Sequence, residues 1–129
     1  MDLTNLTEVI RFETTDDGFI FYDEHGNIPD PSNSYWEGDL NLDDYNGESL
    51  NGLPNVVNGH LYLWSYNGKA LKGLPNTIKT WLYLNQYKGN DLNHLPKDYT
   101  EICIKDKWYT KAEMDDFLKT EKLKKVLLD

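Results

Sequence analysis

The sequence predicts a β-rich solenoid of the α+β class, built from three to four short strand units. Three features predict this fold: a pattern of 21 residues repeats without gaps, each copy opens with alternating leucines, and a helical pattern follows the last copy. The ends of a solenoid need caps. We therefore expect one domain, with a hairpin cap or degenerate repeat over residues 1–37, the array over 38–104 and a helical cap over 105–129.

Seven columns of the repeat hold the same residue in three copies, which begin at Gly38, Gly59 and Thr80. Each Leu-x-Leu run is typical of a strand with one buried face. Stacked copies bury leucines that a single copy would leave exposed. The columns are Leu40, Leu61 and Leu82; Leu42, Leu63 and Leu84; Tyr45, Tyr66 and Tyr87; Gly47, Gly68 and Gly89; Leu50, Leu71 and Leu92; Leu53, Leu74 and Leu95; Pro54, Pro75 and Pro96.

Two steps of the repeat predict how the chain turns. The glycine that follows the tyrosine is expected to supply positive φ in a turn. The Leu-Pro step removes a backbone donor, so the chain is expected to leave the ladder there and to return as irregular or 3₁₀ structure. A weaker apolar column follows this step and contains Trp36, Val57, Ile78 and Tyr99.

The pattern Leu-x-Leu-x-x-Tyr-x-Gly-x-x-Leu-x-x-Leu-Pro resembles short bacterial leucine-rich repeats, and it looks like the compact repeats of some phage and mobile-element proteins. The resemblance covers the array and implies a stack of strand units. One column differs, because those repeats usually place an asparagine where this chain has Tyr45, Tyr66 and Tyr87. A coil that is wider or less regular is therefore expected.

The segment before the array reads as a hairpin. Residues 9–14 and 19–23 are the expected strands, and residues 15–18 are the turn. Phe19 and Phe21 fall one period before the first two strand leucines, as a degenerate first unit would. The hairpin is expected to cap the N-terminal end of the core.

The segment after the array predicts a closing strand. Ile102 and Ile104 are expected to form a fourth strand, with Trp108 in the tyrosine column. The edge at residues 102–105 would then be open, and it offers a route to self-association. We accordingly expect a monomer or a weak homodimer.

A helix is predicted from about residue 111. Thr110 and Glu113 have the spacing of a capping box, and apolar residues follow at helical spacing. The later apolar residues are out of phase, so the helix is expected to break near Thr120. Its main expected role is a cap, with dimerisation as the alternative role for Leu123, Val126 and Leu127.

Charge and composition narrow the class of protein. Residues 1–50 carry 13 acids against Arg11 alone, a balance of −12, whereas residues 51–129 carry 9 acids and 12 lysines, a balance of +3. Such a chain lacks the cationic face that direct nucleic-acid binding requires. The first residues contain no basic segment followed by an apolar run, and Cys103 is the only cysteine. We therefore expect a cytoplasmic protein with no membrane contact.

No motif points to catalysis, so the sequence favours a binding module over an enzyme. Nucleophile motifs and a phosphate-binding glycine loop are missing from it. The acids of residues 39–48 superficially match a calcium loop, but Asp44 replaces the required glycine and Leu50 replaces the terminal glutamate. The three histidines occupy unrelated columns. No cofactor or metal is expected.

The predicted binding surface lies on the strands of the repeat. Residues that alternate with the inward leucines point outward. This surface is expected to bind a protein partner, unless the caps fold across it, and it comprises Tyr62, Trp64, Trp81, Tyr83, His60, Asp39 and Asp43.

A second hypothesis uses the acidic N-terminal half. An acidic inhibitor from a phage or mobile element, of the anti-CRISPR or anti-restriction type, would block a nucleic-acid-handling host enzyme by presenting charge where nucleic acid binds. The alternative explanation is that the acidic charge only maintains solubility. The surface for this mimicry would comprise Asp16, Asp17, Asp23, Glu24, Asp39, Asp43 and Asp44.

Overall fold

A computed structural model describes the backbone of residues 3–128 and the side chains of residues 3–121. It is a β-solenoid-like arrangement of about three turns that ends in one helix, which confirms the predicted β-rich solenoid. The leucine-rich-repeat resemblance remains a prediction. In chain order the elements are β1 (Thr7–Val9), β2 (Arg11–Thr15), β3 (Gly18–Tyr22), a 3₁₀ turn (Pro31–Asn33), β4 (Ser34–Glu37), β5 (Leu40–Asn41), β6 (Val56–Asn58), β7 (Leu61–Tyr62), β8 (Thr77–Ile78), β9 (Trp81–Leu84), β10 (Glu101–Ile104), β11 (Lys107–Thr110) and α1 (Lys111–Leu128).

Two sheets run along the solenoid. The first, called here the leucine sheet, has the strand order β11-β10-β9-β7-β5, and the second has the order β1-β4-β6-β8. All neighbours are parallel except β10 and β11. Leu61 pairs with Leu40 on one side and with Leu82 on the other. These leucines are buried, so the repeat columns stack into a continuous core.

The chain after the first two Leu-Pro steps forms a second strand, so the predicted irregular return was wrong there, whereas after the third step it makes only an isolated bridge between Thr77 and Asp98. Pro54 lies outside the ladder, so its missing donor costs nothing there. The next residue begins the pairing, since the backbone N–H of Asn55 donates to the carbonyl of Ser34 at 3.0 Å. Val57 and Ile78, from the weaker apolar column, are then buried between the sheets. Their β-branched side chains favour strand structure.

The tyrosine column completes the core. Tyr66 and Tyr87 stack with ring centroids 6.2 Å apart and planes 5° apart. The Tyr66 hydroxyl hydrogen-bonds to the carbonyl of Ala70, and the Tyr87 hydroxyl lies 2.9 Å from the carbonyl of Lys69 in the preceding turn. The phenols thus satisfy backbone groups inside the coil. Burial, with smaller effects of neighbouring tyrosines, raises the pKa of Tyr66 to about 12.

The glycine of the Tyr-x-Gly step makes room for the phenol, and the predicted role in positive φ was wrong. A Cβ on Gly68 would lie 2.1 Å from the Tyr66 hydroxyl, and the other two copies have the same arrangement. Positive φ occurs five residues later, at Gly52 (96°), Gly73 (103°) and His94 (71°). The repeat position of Gly52, Gly73 and His94 is therefore the one that needs the left-handed conformation.

At the N-terminal end, β2 and β3 form the predicted hairpin. Val9 is not part of it, because it lies in β1, which pairs in parallel with β4. The carbonyl of Phe19 approaches Gly52 as the carbonyl of Leu50 approaches Gly73 in the next turn. Phe19 therefore occupies the position equivalent to Leu50, and not the position equivalent to the strand residue Leu40 that the 21-residue period predicted.

At the other end, β10 is the expected fourth strand, with Ile102 paired to Leu82. The strand β11 then folds back and pairs antiparallel with β10. This pairing removes the open edge at residues 102–105 on which the predicted self-association depended. Trp108 pairs with Cys103 on β10. Its indole is 47 % exposed, so its predicted place in the buried tyrosine column was wrong.

The helix α1 begins with the predicted capping box. The Thr110 N–H donates to Glu113 Oε1 at 2.9 Å, and the Glu113 N–H donates to Thr110 Oγ1 at 3.1 Å. Hydrogen bonds to the Glu113 carboxylate from the backbone N–H of Thr110, and secondarily from its hydroxyl, lower the pKa of Glu113. The helix continues past Thr120, so the predicted break was wrong. The side chains of Leu123, Val126 and Leu127 lie outside the described residues. Within the described part of the chain, no helix has the length and apolar character to cross a membrane.

Candidate binding surface

The outer side of the leucine sheet carries a group of aromatic rings. Strand alternation directs the leucines inward, so their neighbours along each strand point away from the core. The antiparallel turn after β10 adds Trp108 to the same side, because Trp108 pairs with Cys103 and Cys103 pairs with Tyr83. This surface, called here the aromatic face, comprises His60, Tyr62, Trp64, Trp81, Tyr83 and Trp108.

Ring contacts hold most of the aromatic face together. Tyr62 stacks on Tyr83 with centroids 4.6 Å apart and planes 18° apart. Trp108 meets Tyr83 edge to face at 5.1 Å and Trp81 at 5.7 Å. His60 lies 4.8 Å from Trp81. Offset and edge-to-face pairs of this kind are favourable for aromatic rings, so the face is preorganised.

Three indoles of the face are open to solvent. Trp64 is 49 % exposed, Trp81 is 38 % exposed and Trp108 is 47 % exposed. Tyr62 and Tyr83 are half-buried by their neighbours. The rings of the N-terminal hairpin pack elsewhere, against Trp36, at 5.9 Å. The aromatic face is therefore accessible at its three tryptophans, of which Trp64 and Trp81 were predicted.

The two predicted acids at the border of the face also order its backbone. Asp39 Oδ1 accepts the N–H of His60 at 2.8 Å, and Asp43 Oδ1 accepts the N–H of Trp64 at 3.0 Å. Both contacts join residues 21 apart, so each carboxylate holds the backbone of the following turn of the solenoid in place. Burial raises the pKa of Tyr83, and the charges of Asp39 and Asp43 add to this shift. Their negative field therefore reaches the rings.

His60 continues this ladder into the third turn. Its Nδ1 accepts the N–H of Trp81 at 3.3 Å and lies 2.6 Å from Thr80 Oγ1. A backbone N–H only donates, so Nδ1 is the acceptor and the proton of the neutral ring lies on Nε2. His60 is thus an ordering residue within the face as well as one of its rings.

Trp108 was not predicted as a member of the aromatic face. A sequence signal for it exists, because inward and outward residues alternate on both sides of Lys105 and Asp106. These two residues form a turn with φ values of 53° and 65°. Both residues at positive φ are typical of a hairpin turn whose strands stay in register. Read as a hairpin, this segment would have placed Trp108 opposite Cys103.

One polar atom beside the face has no partner in the described part of the chain. Asn85 Nδ2 donates to Asp106 Oδ1 at 3.1 Å, while Asn85 Oδ1 is buried without a hydrogen bond. The orientation of the amide follows from chemistry, because a carboxylate can only accept. Cys103 is also buried, and burial raises the pKa of its thiol, which disfavours the reactive thiolate.

Apart from Asp39 and Asp43, the acids of the inhibitor hypothesis lie on three separate turns. Asp16 and Asp17 form the exposed turn between β2 and β3, and Asp44 is exposed after β5. Glu24 is exposed, whereas Asp23 is half-buried and its Oδ1 accepts two backbone N–H groups of its own turn at 2.9 Å. Asp23 therefore has a structural role whatever else it does.

A groove opens between α1 and the last turn of the solenoid. Its apolar side includes Leu92, Tyr109 and Phe117, and its rim includes Lys107 and Lys119. Among the side chains that the structure describes, no group of three or more histidines, cysteines or acids could hold a metal ion.

Comparisons with known protein families, with curated proteins and with solved structures find no match to this chain.

Proposed function

We propose that this protein is a non-enzymatic binding module that presents the aromatic face to another protein. The observation that carries the proposal is the presence of three exposed indoles on the outer side of the leucine sheet, Trp81 in β9, Trp108 in β11 and Trp64 in the turn just after β7. Tryptophan and tyrosine are the usual energetic anchors of protein interfaces. Isolated exposed apolar residues are normal on a monomer, but a contiguous group is typical of an interaction site.

The size of the face is consistent with an interface. An aromatic side chain can bury about 150–250 Å², so three indoles and the exposed parts of Tyr62 and Tyr83 would cover several hundred square ångströms. A standard interface buries about 800 Å² on each partner. The aromatic face would then form the centre of the contact, with acids such as Asp39 and Asp43 at its rim.

The rigidity of the face also supports binding. Its strands are tied to one another by parallel ladders and by the carboxylate contacts of Asp39 and Asp43. Preorganised side chains lose less conformational entropy when a partner docks. A module of this kind can bind without rearrangement of its own backbone.

The test is affinity capture from a lysate of the cells that produce the protein, followed by calorimetry with the purified captured protein. The variant Trp64→Ala/Trp81→Ala is expected to lose that protein, while Ile28→Ala, which truncates another exposed apolar residue, is expected to retain it. Circular dichroism would verify that both variants are folded. Equal capture by the wild type and the tryptophan variant would contradict the proposal.

The charge-mimicry hypothesis predicts a different result in the same experiment. An interaction carried by Asp16, Asp17, Asp23, Glu24 and Asp44 would persist in the tryptophan variant and weaken steeply with salt, because exposed charges are screened. An aromatic interface would change little with salt. Capture that survives Trp64→Ala/Trp81→Ala but is lost in high salt would support the inhibitor in place of the binding module.

A further inference from the structure

We propose that the aromatic face binds a cationic segment whose arginines stack on its indoles and pair with the carboxylates at its border. This inference rests on the proposed function and names the chemistry of the partner. The carboxylates concerned are Asp39 and Asp43, and the indoles are Trp64, Trp81 and Trp108.

The charge at the outward positions of the strands is negative. By strand alternation and register, these positions hold Asp39 and Asp43 at one edge and Glu101 next to Trp81. Lys105 follows Cys103 in the turn after β10, but its Nζ lies 3.3 Å from Asn90 Oδ1 and its side chain lines the groove under α1. Lys107, which pairs with Ile104, points to the opposite side and lines the groove under α1. A cationic partner is therefore complementary to the aromatic face, and an anionic one is not.

The border carboxylates retain capacity for a ligand. The contacts of Asp39 and Asp43 with the N–H groups of His60 and Trp64 are made by Oδ1. A carboxylate offers about four acceptor positions on its two oxygens. Each can therefore keep its structural hydrogen bond and still accept from a guanidinium, for which the two-oxygen geometry is well suited.

Arginine fits the face better than lysine because a guanidinium is flat and weakly hydrated. It can stack on an indole while its N–H groups reach a carboxylate at the edge of the ring. This protein already uses the same chemistry elsewhere, since the guanidinium of Arg11 lies 4.2 Å above the centre of the Tyr22 ring. The alternative ligand for exposed rings is a sugar, which would stack without needing the negative field.

The experiment titrates the full chain with oligo-arginine, oligo-lysine and oligo-citrulline peptides of equal length and follows tryptophan fluorescence. Citrulline has the shape of arginine without its charge. The variants are Trp64→Ala/Trp81→Ala, Asp39→Asn/Asp43→Asn and, as a control with the same change of charge on a distant turn, Asp16→Asn/Asp17→Asn. Asparagine keeps an oxygen that can accept the N–H of His60 or Trp64, so the ladder of the sheet is preserved.

Oligo-arginine is expected to bind several-fold more tightly than oligo-lysine, and oligo-citrulline is expected not to bind. Asp39→Asn/Asp43→Asn should weaken oligo-arginine roughly tenfold, as should the tryptophan variant, while Asp16→Asn/Asp17→Asn should change it less than about twofold. Isothermal calorimetry would measure binding to the tryptophan variant, in which two of the fluorescent reporters are removed.

A parallel titration with cellohexaose tests the sugar alternative. Three results would overturn the inference: equal effects of the two acid variants, which would indicate only a general negative field; binding of oligo-citrulline as tight as that of oligo-arginine; or binding of cellohexaose tighter than that of oligo-arginine, which would indicate a sugar ligand. The results that would refute the proposed function differ from those that would refute this inference. If oligo-arginine does not bind but the captured partner still depends on Trp64 and Trp81, the inference is wrong and the binding module stands. If capture is also independent of those tryptophans, both are wrong.

Discussion

Replacing Gly68 with alanine is expected to be among the most damaging single changes in the array. The added Cβ would lie 2.1 Å from the Tyr66 hydroxyl and 2.7 Å from the carbonyl oxygen of Glu48. Ordinary contact begins near 3.4 Å, so the phenol would have to retreat by about 1.3 Å and give up its hydrogen bond to Ala70. Overpacking costs about 1–3 kcal/mol, and an unsatisfied buried polar group costs about 1–3 kcal/mol. The expected loss in the free energy of unfolding is therefore about 4 kcal/mol.

Urea unfolding followed by circular dichroism would measure this loss, with Gly38→Ala as the matched control. Gly38 has φ of 90° and nothing within 4 Å of an added Cβ, so that substitution should cost only about 1 kcal/mol of backbone strain. Gly68→Asn adds a second comparison. Asparagine tolerates positive φ, so Gly68→Asn would lose less free energy of unfolding than Gly68→Ala if positive φ were the reason for the glycine. Losses at Gly68 no larger than at Gly38, or a well-tolerated asparagine, would refute the steric explanation.

Three further changes are expected to alter stability. His94→Gly should raise the melting temperature by a few degrees, because a residue with φ of 71° carries roughly 1 kcal/mol of left-handed strain that glycine relieves. The free energy of unfolding of the wild type should fall as the pH rises from about 10 towards 12. The reason is that the folded pKa of Tyr66 is raised to about 12, so loss of its proton favours the unfolded state. Urea titrations across that range would show a shallower fall in Tyr66→Phe. Thr110→Ala should cost about 1 kcal/mol through loss of the helix cap, measured by urea unfolding and helical ellipticity.

Each of these predictions has a control. His94→Ala, which keeps a Cβ at the same positive φ, should not raise the melting temperature, and an unchanged value in His94→Gly would contradict the strain argument. An alkaline profile of Tyr66→Phe identical to that of the wild type would rule out Tyr66 as the titrating group. Thr120→Ala is the control for Thr110→Ala, because Thr120 Oγ1 donates to the carbonyl of Asp116 inside the helix and does not cap it.

The array was the most predictable part of the fold. Leucines two residues apart and 21 residues from their counterparts can be buried only if the copies stack in register, and Leu61 does pair with Leu40 and Leu82. The capping box of Thr110 and Glu113 was also readable, since both of its hydrogen bonds are local. Five of the six rings of the aromatic face, Tyr62 and Tyr83 among them, followed from alternation alone.

Other features depended on contacts that the repeat does not encode. The glycine of the Tyr-x-Gly step is explained by the reach of a phenol across its own turn, which no propensity reveals. The strands after the Leu-Pro steps form because β4 offers a partner to β6, so pairing overrides the local signal of the proline. Phe19 occupies the column of Leu50 because the hairpin meets the array at Gly52. The 21-residue period alone aligned Phe19 with Leu40, which was wrong.

The sequence by itself determined the period, the inward columns, the helix start and the uneven charge, since each depends on residue type at short and regular spacing. Only the tertiary structure decided that β11 folds back, that Trp108 joins the outer side and that Asp39 and Asp43 pin the turns beneath the rings. The physical reason is that a binding face is assembled from different turns of the coil. Its geometry therefore depends on how the strands pair in space, which the order of residues along any one strand does not specify.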